Sequence, residues 1–313
     1  MRDNRPLVSV IIPARDCGLY IEAAIQSVLN QTHPSIEVII VDDQSVDNTA
    51  AVAGSVADDR VRVITGNGFG ASAARNLGLE ASHGDFVMFL DADDLITPRK
   101  IESQLDLLRG SQRLVAACAW AHFESDHSSA VPRPEPCWRE SDPIRWLQCS
   151  LNGGGMMQTG CWLAHRSVLS AAGPWNESLS LHDDGEYFCR VLLRASKICF
   201  AENELVYYRR VTGSLSRQRS RKSSLSALTV CRLRDEWLLS ADASELSRQA
   251  IATQYANWLY EFGKTMPEES AHVYQRLKLL AIEPSLTVGG PAFRLLTALI
   301  GFQRANRFRE LLK

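Results

Sequence analysis

GDFVMFLDADD, residues 84–94, is the stretch that best indicates how this chain folds. Residues 85–90 are typical of a buried strand, and Asp91, Asp93 and Asp94 follow at its end. Three carboxylates held together without a cation would have raised pKa values, so a divalent metal is expected there. Oxygen ligands favour Mg²⁺ or Mn²⁺ over zinc. The structural alternative is an exposed acidic turn in which Asp94 caps the next helix.

Two hydrophobic patterns alternate around this stretch. Short β-branched runs are typical of strands and lie at residues 7–13, 38–41, 61–65 and 86–90. Apolar residues at helical spacing lie at residues 20–32, 47–57, 71–82 and 98–108. The alternation predicts an α/β fold with a parallel sheet covered by helices on both faces. Functional groups should then lie at the carboxyl ends of the strands.

The pattern changes in the second half of the chain. The expected elements there are a strand, a helix and two short strands, at 115–120, 183–195, 198–201 and 205–208. An irregular proline-containing segment, 125–143, lies between the first two. After the basic segment 211–222 the patterns are entirely helical, and aromatic residues at 255–262 have the spacing of a helix core. We therefore predict an α/β domain over 1–220 and a helical region over 221–313.

Composition excludes several classes of protein. The chain has 313 residues, of which 45% are hydrophobic and 22% charged, with a formal net charge of −2. These values are typical of a globular protein, and the balanced charge does not indicate nucleic-acid binding. Apolar stretches fall short of the roughly 20 residues that span a bilayer, and the N-terminus lacks the apolar region of a signal peptide. A cytoplasmic protein is expected.

The eight cysteines are scattered, and none forms a C-x-x-C pair. Several lie inside apolar runs, which is typical of reduced cysteines in a protein core. We therefore expect neither a disulfide framework nor a zinc site.

Two further segments place carboxylates where chemistry could occur. Asp42 and Asp43 end a predicted strand, where a carboxylate can accept hydrogen bonds from a base or a ribose hydroxyl. LHDDGE, residues 181–186, holds three carboxylates at the start of a predicted helix. Both have structural alternatives, because side chains after a strand cap helices and acidic residues in a first turn stabilise the helix dipole.

Four segments, in this order, resemble the sequence blocks of a family 2 glycosyltransferase with the GT-A (Rossmann-like) fold. They are VSVIIPARD, SVLNQTHPSIEVIIVDDQSVDNT, GFGASAARNLGL and GDFVMFLDADD, the last of which carries the D-x-D motif. The resemblance continues more thinly through DDGEYF and covers about residues 6–220. It implies an inverting, metal-dependent hexosyltransferase that uses a nucleoside-diphosphate sugar, with uracil or thymine the expected base and guanine the alternative. The acceptor would be a glycan or a lipid-linked sugar in polysaccharide or glycoconjugate biosynthesis.

The resemblance also assigns roles to individual residues. Asp184 matches the catalytic base, although Asp183-Asp184 stands where many members have Glu-Asp. Asp93, with Asp91, matches the residues that hold Mg²⁺ or Mn²⁺ at the diphosphate. The residues that would line the nucleotide-sugar pocket are Pro13, Arg15, Asp43, Arg75, Asp91, Ala92, Arg209 and Arg210.

A lid is the second role open to the arginines near residue 210. Arg209 and Arg210, with Arg217 and Arg219, could fold over the diphosphate, because arginine forks match phosphate geometry. The alternative is a solvated basic loop. Many relatives have a histidine shortly after the Tyr-Arg pair, whereas this chain has VTG at 211–213.

Three other interpretations compete with the transferase. GNGFGA, residues 66–71, matches a dinucleotide-binding turn, but two complete β-α units precede it, so its glycines are better explained as freeing a turn. Asp91-Ala92-Asp93 resembles the nucleophile motif of haloacid dehalogenase-like phosphatases, which wants Thr or Val where Leu95 stands. A catalytically inactive nucleotide-sugar-binding module is the third interpretation.

The C-terminal segment, 291–313, combines an apolar run with four arginines and one lysine against a single glutamate. Such a segment could lie on an anionic membrane surface, where lipid-linked acceptors reside. It could equally be a terminal helix docked on the core.

Overall fold

The computed structural model describes residues 5–211, 220–286 and 288–311, and an eight-stranded sheet lies at its centre. The strands are β1 (Val8–Ala14), β2 (Ile36–Asp42), β3 (Val61–Thr65), β4 (Phe86–Phe89), β5 (Leu95–Ile96), β6 (Leu114–Phe123), β7 (Leu163–His165) and β8 (Lys197–Arg209). Their order is β3-β2-β1-β4-β7-β6-β8-β5, and four of the seven pairings are parallel. The predicted α/β class with a mostly parallel sheet is confirmed.

Helices surround this sheet and form the C-terminal region. They are α1 (Ile21–Leu29), α2 (Thr49–Gly54), α3 (Ala71–Ala81), α4 (Lys100–Leu108), α5 (Pro143–Cys149), α6 (Arg166–Ala172), α7 (Asp183–Arg194), α8 (Arg221–Ala241), α9 (Glu245–Phe262), α10 (Pro267–Leu280), α11 (Pro291–Ile300) and α12 (Phe302–Leu311).

The parallel part of the sheet brings the functional segments together. β1 pairs in parallel with both β2 and β4, and nearly every residue of these three strands is buried. Strands buried on both faces need continuous apolar runs, which is what their sequences provide. Because the three strands are adjacent and run in the same direction, the loops that follow them leave from one edge of the sheet.

The second half of the sheet differs from the prediction. The two short strands expected at 198–201 and 205–208 form one strand, β8. A register shift between Cys118 and Ala119 of β6 absorbs the extra residues of β8. Glu204, within them, is buried and accepts hydrogen bonds from the hydroxyls of Thr97 (2.6 Å) and Ser103 (2.8 Å). Polar residues therefore interrupt the apolar pattern here without ending the strand.

The predicted helix over 47–57 is also shorter in the structure, where it is reduced to α2. The reason lies in Asp47, whose carboxylate accepts hydrogen bonds from the backbone N–H groups of Gly18 (3.0 Å) and Thr49 (2.9 Å). Asp47 thus belongs to the loop before the helix. The short elements α5, β7 and α6 had no prediction.

The helical region shares one hydrophobic core with the sheet. Tyr255, Trp258 and Phe262 are buried in it, which confirms that these three aromatic residues of α9 are core residues. The Tyr255 hydroxyl donates to Asp235 (3.0 Å), which also accepts two hydrogen bonds from Arg276, each 2.7 Å long. These contacts join α8, α9 and α10.

The helical region also packs against the sheet domain. Arg234 of α8 donates through Nε to the carbonyl of Gly185 in α7 (3.0 Å). The boundary near residue 220 remains a prediction. Of the helices in the described ranges, none has the length and apolar character needed to cross a bilayer.

All eight cysteines are free thiols, and six of them are buried. This agrees with the expectation of reduced core residues.

Candidate active site

The loops that follow β1, β2 and β4 begin side by side. The backbone N–H of Asp43 donates to the carbonyl of Ala14 (2.8 Å), and that of Leu90 donates to the carbonyl of Ile11 (3.0 Å). The sheet therefore delivers Asp43 and the acidic turn 91–94 to the same edge, as predicted from the strand pattern.

Asp43 organises the glycine-rich turn before α3. Its two carboxylate oxygens accept hydrogen bonds from the backbone N–H groups of Gly68 and Gly70, each 2.8 Å long. Both glycines have positive φ angles, 75° and 96°, which other residues rarely adopt. At Gly66 a Cβ would lie 2.8 Å from Oδ1 of Asp43. The turn is thus built around a buried carboxylate that is held in place by backbone groups.

The loops after β1 and β2 are joined to each other. The backbone N–H of Val46 donates to Asp16 (2.8 Å), and that of Asp16 donates to the hydroxyl of Ser45 (3.0 Å). Asp47 accepts from Gly18, as described above. We call these two segments, 16–18 and 45–47, the interlocked loops.

Three of the predicted nucleotide-pocket residues lie near these loops or the acidic turn. Pro13, in β1, is half-buried, and Arg15, directly after β1, is exposed. Ala92 is buried within the acidic turn. Their contact with a nucleotide remains a prediction.

Arg75 connects three elements of the site. It is buried on α3; its Nη2 donates to Asp91 (2.7 Å) and its Nη1 to Asp183 (3.1 Å). Its guanidinium lies 4.5 Å from the ring centroid of Trp175, a cation–π distance. Burial lowers the pKa of Arg75, but the charges of Asp91 and Asp183 outweigh it, so the pKa is raised and the group stays charged. The carboxylates of two segments distant in sequence therefore meet at one cation.

The acidic turn is electrostatically crowded. Burial, and then the charge of Asp91, raise the pKa of Asp93 to about 6. Asp94 is fully buried, and burial together with Asp91 and Asp93 raises its pKa well above the usual value. One oxygen of Asp94 accepts from the backbone N–H of Arg209 (2.9 Å), while the other has no hydrogen-bond partner among the described residues.

These observations fit a divalent cation at the turn. Burial is the main cause of the raised pKa values and the neighbouring carboxylates add to it, so a bound cation would stabilise the ionised forms. In the ranges that the structure describes, no three His, Cys, Asp or Glu side chains converge as a complete ligand set. Mg²⁺ is commonly held by one or two carboxylates, with substrate phosphates and water completing its coordination. Asp93 and Asp91 suit such a partial ligand set.

The Arg209 side chain is anchored within the structure, whereas the lid interpretation had it fold over the diphosphate. Its Nε donates to the carbonyl of Asp93 (2.9 Å) and its Nη1 to that of Glu124 (2.8 Å). The guanidinium lies 4.2 Å from the ring centroid of Phe123 and 4.8 Å from that of Tyr20. These contacts hold the acidic turn against β6 and β8, so the side chain is a fixed part of the turn rather than a mobile arm.

The lid interpretation also included Arg210, Arg217 and Arg219. Arg210 is exposed, and its backbone N–H donates to the carbonyl of Phe123 (2.8 Å). Arg217 and Arg219 lie outside the described residues.

Asp184 occupies the first turn of α7. Its Oδ1 accepts from the backbone N–H of Gly185 (2.7 Å). Burial, and then the charge of Asp183, raise the pKa of Asp184 to about 6. Asp183 itself is held by Arg75 and by the hydroxyl of Ser72 (2.8 Å). The two neighbouring carboxylates thus have different surroundings: Asp183 is paired with a cation, and Asp184 has a raised pKa.

Sequence patterns gave no indication of Ser72 or Trp175 as residues of the site. Both act through contacts about one hundred positions away, since Ser72 donates to Asp183 and Trp175 lies against Arg75. A local pattern carries no signal for such pairs.

The eight-stranded sheet flanked by helices is that of the GT-A fold. S. aureus TarS in complex with UDP-GlcNAc matches with a TM-score of 0.66 and 19% identity, covering 85% of this chain and 83% of that chain. The complex of TarS with UDP matches with a TM-score of 0.65 and 17% identity, covering 98% and 92%. At these identities the likeness concerns the fold.

The chain belongs to glycosyl transferase family 2, whose model matches residues 9–172, about half of its length. An uncharacterized glycosyltransferase of Haemophilus influenzae is 40% identical over 108 residues, which are 34% of this chain and 43% of that protein. GlyG of Streptococcus pneumoniae is 27% identical over 67% of this chain and 73% of its own length. The Escherichia coli UDP-Glc:α-D-GlcNAc-diphosphoundecaprenol β-1,3-glucosyltransferase WfaP is 29% identical over 67% and 80%.

Proposed function

We propose that this chain is an inverting, metal-dependent hexosyltransferase that moves a sugar from a UDP- or dTDP-linked donor to a hydroxyl of a glycan or lipid-linked acceptor. Its pathway would be the synthesis of a cell-surface polysaccharide or glycoconjugate. Family membership supports the reaction class, and the name of WfaP gives a UDP-sugar donor and a lipid-linked acceptor for that relative. The observation that carries the proposal is Arg75, which brings Asp91 and Asp183 to one point.

The donor side consists of the acidic turn and the loops beside it. Mg²⁺ or Mn²⁺ held by Asp93 and Asp91 would neutralise charge that develops on the departing diphosphate. Asp43 supports the turn that leads into α3 and so fixes the position of Arg75. Arg209 fixes the acidic turn from the opposite side.

The acceptor side is Asp184. Its raised pKa makes it a stronger base than an ordinary carboxylate while leaving it ionised at neutral pH. It accepts the proton of the acceptor hydroxyl as that oxygen attacks the anomeric carbon. Attack opposite the departing diphosphate inverts the anomeric configuration. Asp183 remains paired with Arg75 and keeps α7 in register with the acidic turn.

A thermal-shift panel of UDP, dTDP and GDP, each with and without Mn²⁺, tests the donor assignment. A ligand at 100 times its Kd stabilises a protein by about 2.7 kcal/mol, which gives a measurable shift. Asp93→Asn should remove the Mn²⁺-dependent part, whereas the exposed Asp106→Asn should not. Absence of a shift with all three nucleotides would contradict the proposal.

Transfer itself is tested with Asp184→Asn. The variant should keep the nucleotide-dependent shift and lose sugar transfer. A wild-type chain that binds UDP with Mn²⁺ and neither transfers nor hydrolyses any UDP-sugar would favour the inactive binding module. Release of phosphate from simple phosphomonoesters would instead favour the phosphatase.

We also propose a cytoplasmic location with peripheral membrane contact through 291–313, on the surface of α11. Its side chains Leu295 and Leu299 are 63% and 73% exposed, and α11 carries no acidic residue. By contrast, α12 is docked: Phe302 and Ala305 are buried, and Arg309 donates to the carbonyl of Tyr260 (2.8 Å). An apolar helix face beside basic residues suits an anionic interface.

Co-sedimentation with phosphatidylglycerol vesicles tests the membrane contact. The double change Leu295→Glu/Leu299→Glu should abolish binding. Leu279→Glu is the matched control, because Leu279 is equally exposed but lies on α10. Equal sedimentation of all three proteins would exclude α11 as the contact.

A further inference from the structure

Two tryptophans outside the catalytic constellation share one hydrogen-bond acceptor. The indole N–H groups of Trp120, on β6, and Trp138, in the irregular segment before α5, both donate to the carbonyl of Met156, each at 3.2 Å. The backbone N–H of Met156 in turn donates to Glu135 (2.7 Å). Both rings are therefore held in fixed orientations, yet both are partly exposed, and the Met156 side chain is 44% exposed.

Two further rings extend this surface. His122 and Tyr208 face each other across β6 and β8 with ring centroids 5.0 Å apart and an interplanar angle of 29°. The ring centroid of Trp120 lies 4.8 Å from that of His122 and 5.9 Å from that of Tyr208. We call the five side chains the aromatic platform: Trp120, His122, Trp138, Met156 and Tyr208.

The chain that follows the platform leads toward α7, the helix that carries the proposed base. The chain runs from Met156 past Gly160, where a Cβ would lie 3.1 Å from the side chain of Leu90. Leu90 immediately precedes Asp91. The chain continues to Trp162, whose ring stacks on Phe188 of α7 with centroids 5.3 Å apart and an interplanar angle of 24°. One short segment thus connects the platform to Leu90, just before the acidic turn, and to the helix that begins with Asp183 and Asp184.

The composition of the platform indicates the class of ligand. The rings meet largely edge to face, at 81° between Trp120 and His122 and 65° between Trp120 and Trp138, so each partly exposed ring offers its own apolar face. Hydrogen-bonding groups lie nearby, here the imidazole of His122 and the carboxylate of Glu135. A pyranose ring has the complementary form, with a flat C–H face and hydroxyls around its rim. A polyisoprenoid chain would instead be matched by a continuous aliphatic groove, which these side chains do not form.

We propose that the aromatic platform binds a pyranose ring of the acceptor, next to the sugar whose hydroxyl Asp184 deprotonates. This inference rests on the proposed function, because that function supplies the acceptor to which the platform is assigned. The acceptor of this chain would therefore carry at least two sugars before transfer occurs, one on the platform and one at Asp184.

Saturation-transfer NMR on the full chain with methyl glycosides tests the platform directly. The probes are the methyl pyranosides of glucose, galactose, N-acetylglucosamine and rhamnose. At least one should receive saturation mainly at the protons of one C–H face. Trp138→Leu should weaken its binding about tenfold, which corresponds to ~1.4 kcal/mol and lies within the range of an aromatic contact.

Two variants serve as controls. Trp138→Phe keeps a ring and should retain most of the binding even though it lacks the N–H donor. Trp237→Leu removes a comparably half-buried tryptophan on α8, where it lies near Arg190, and should leave glycoside binding unchanged. Circular dichroism and the UDP-dependent thermal shift show whether each variant is folded.

The outcomes separate this inference from the donor assignment. If wild type binds a glycoside but shows no UDP-dependent thermal shift, the proposed donor is refuted and the platform is still supported as a sugar site. Absence of saturation for all four glycosides, or equal saturation in wild type and folded Trp138→Leu, would overturn the platform.

Discussion

Arg75→Met removes the cation that joins Asp91 to Asp183 and keeps a side chain of similar length. Arg75 is 7% exposed at its side chain, and its partners are 29% and 24% exposed. Removing one member of a buried ion pair costs about 3–5 kcal/mol, because it leaves charge without compensation. Since both carboxylates here keep some contact with water, we expect the lower end, ~3 kcal/mol. For a domain of about 200 residues this lowers Tm by roughly 6–12 °C.

Catalysis should suffer more than stability. Without Arg75 the first turn of α7 loses its link to the acidic turn, and a shift of about 1 Å in a reacting group can cost about 100-fold in rate. Urea unfolding gives the free energy of unfolding, and sugar transfer gives kcat/KM. Arg248→Met, an exposed helical arginine, is the matched control and should change stability by less than about 0.5 kcal/mol.

A double-mutant cycle with Asp183→Asn completes the test. The two residues are in direct contact, so the coupling energy should be about 0.5–3 kcal/mol. Additive effects, or an Arg75→Met protein as stable as wild type, would refute the view that this arginine holds the two segments together.

Three further results are expected. Burial and Asp183 raise the pKa of Asp184 to about 6, and a general base must be ionised, so kcat/KM should fall as pH drops below about 6. Asp184→Asn should lower the rate about 10²–10⁴-fold. A kcat/KM that does not change with pH in this range would contradict the proposed role of Asp184. Lys100 is fully buried, and burial lowers its pKa, so the unfolded chain binds the proton more tightly. The free energy of unfolding of wild type, relative to that of Lys100→Met, should therefore rise from pH 7 toward pH 10. Urea unfolding at several pH values measures this difference, and a difference that does not change with pH would contradict the prediction. Gly66→Ala should displace Asp43 and weaken the UDP-dependent thermal shift, whereas Gly54→Ala, which meets nothing within 4 Å, should not; equal shifts would exclude a steric role for Gly66.

The parallel half of the fold could be predicted because its strands are buried on both faces and therefore have continuous apolar sequences. The edge of the sheet where Asp43 and the acidic turn lie followed from the same pattern. The second half was harder, since Glu204 is polar but buried and strand β8 continues through it. Short elements such as β7 leave too little periodicity to detect.

The sequence predicted individual residues of the candidate site but not the contacts that join them. Local motifs identified Asp43, Asp93 and Asp184, and their roles remain predictions. The link that joins the segments was not visible, because Arg75 contacts Asp183 across 108 positions. The resemblance placed Arg75 in the nucleotide-sugar pocket, whereas in the structure its guanidinium is engaged by two carboxylates and Trp175.

The interlocked loops constrain how such a site can change over time. Each loop supplies acceptors for the other's backbone N–H groups, so substituting one loop alone would remove these hydrogen bonds and leave the exposed N–H groups to water. A lineage that changes one loop keeps these contacts only if the other loop changes with it, and an engineer who grafts a loop from another enzyme should transplant the pair.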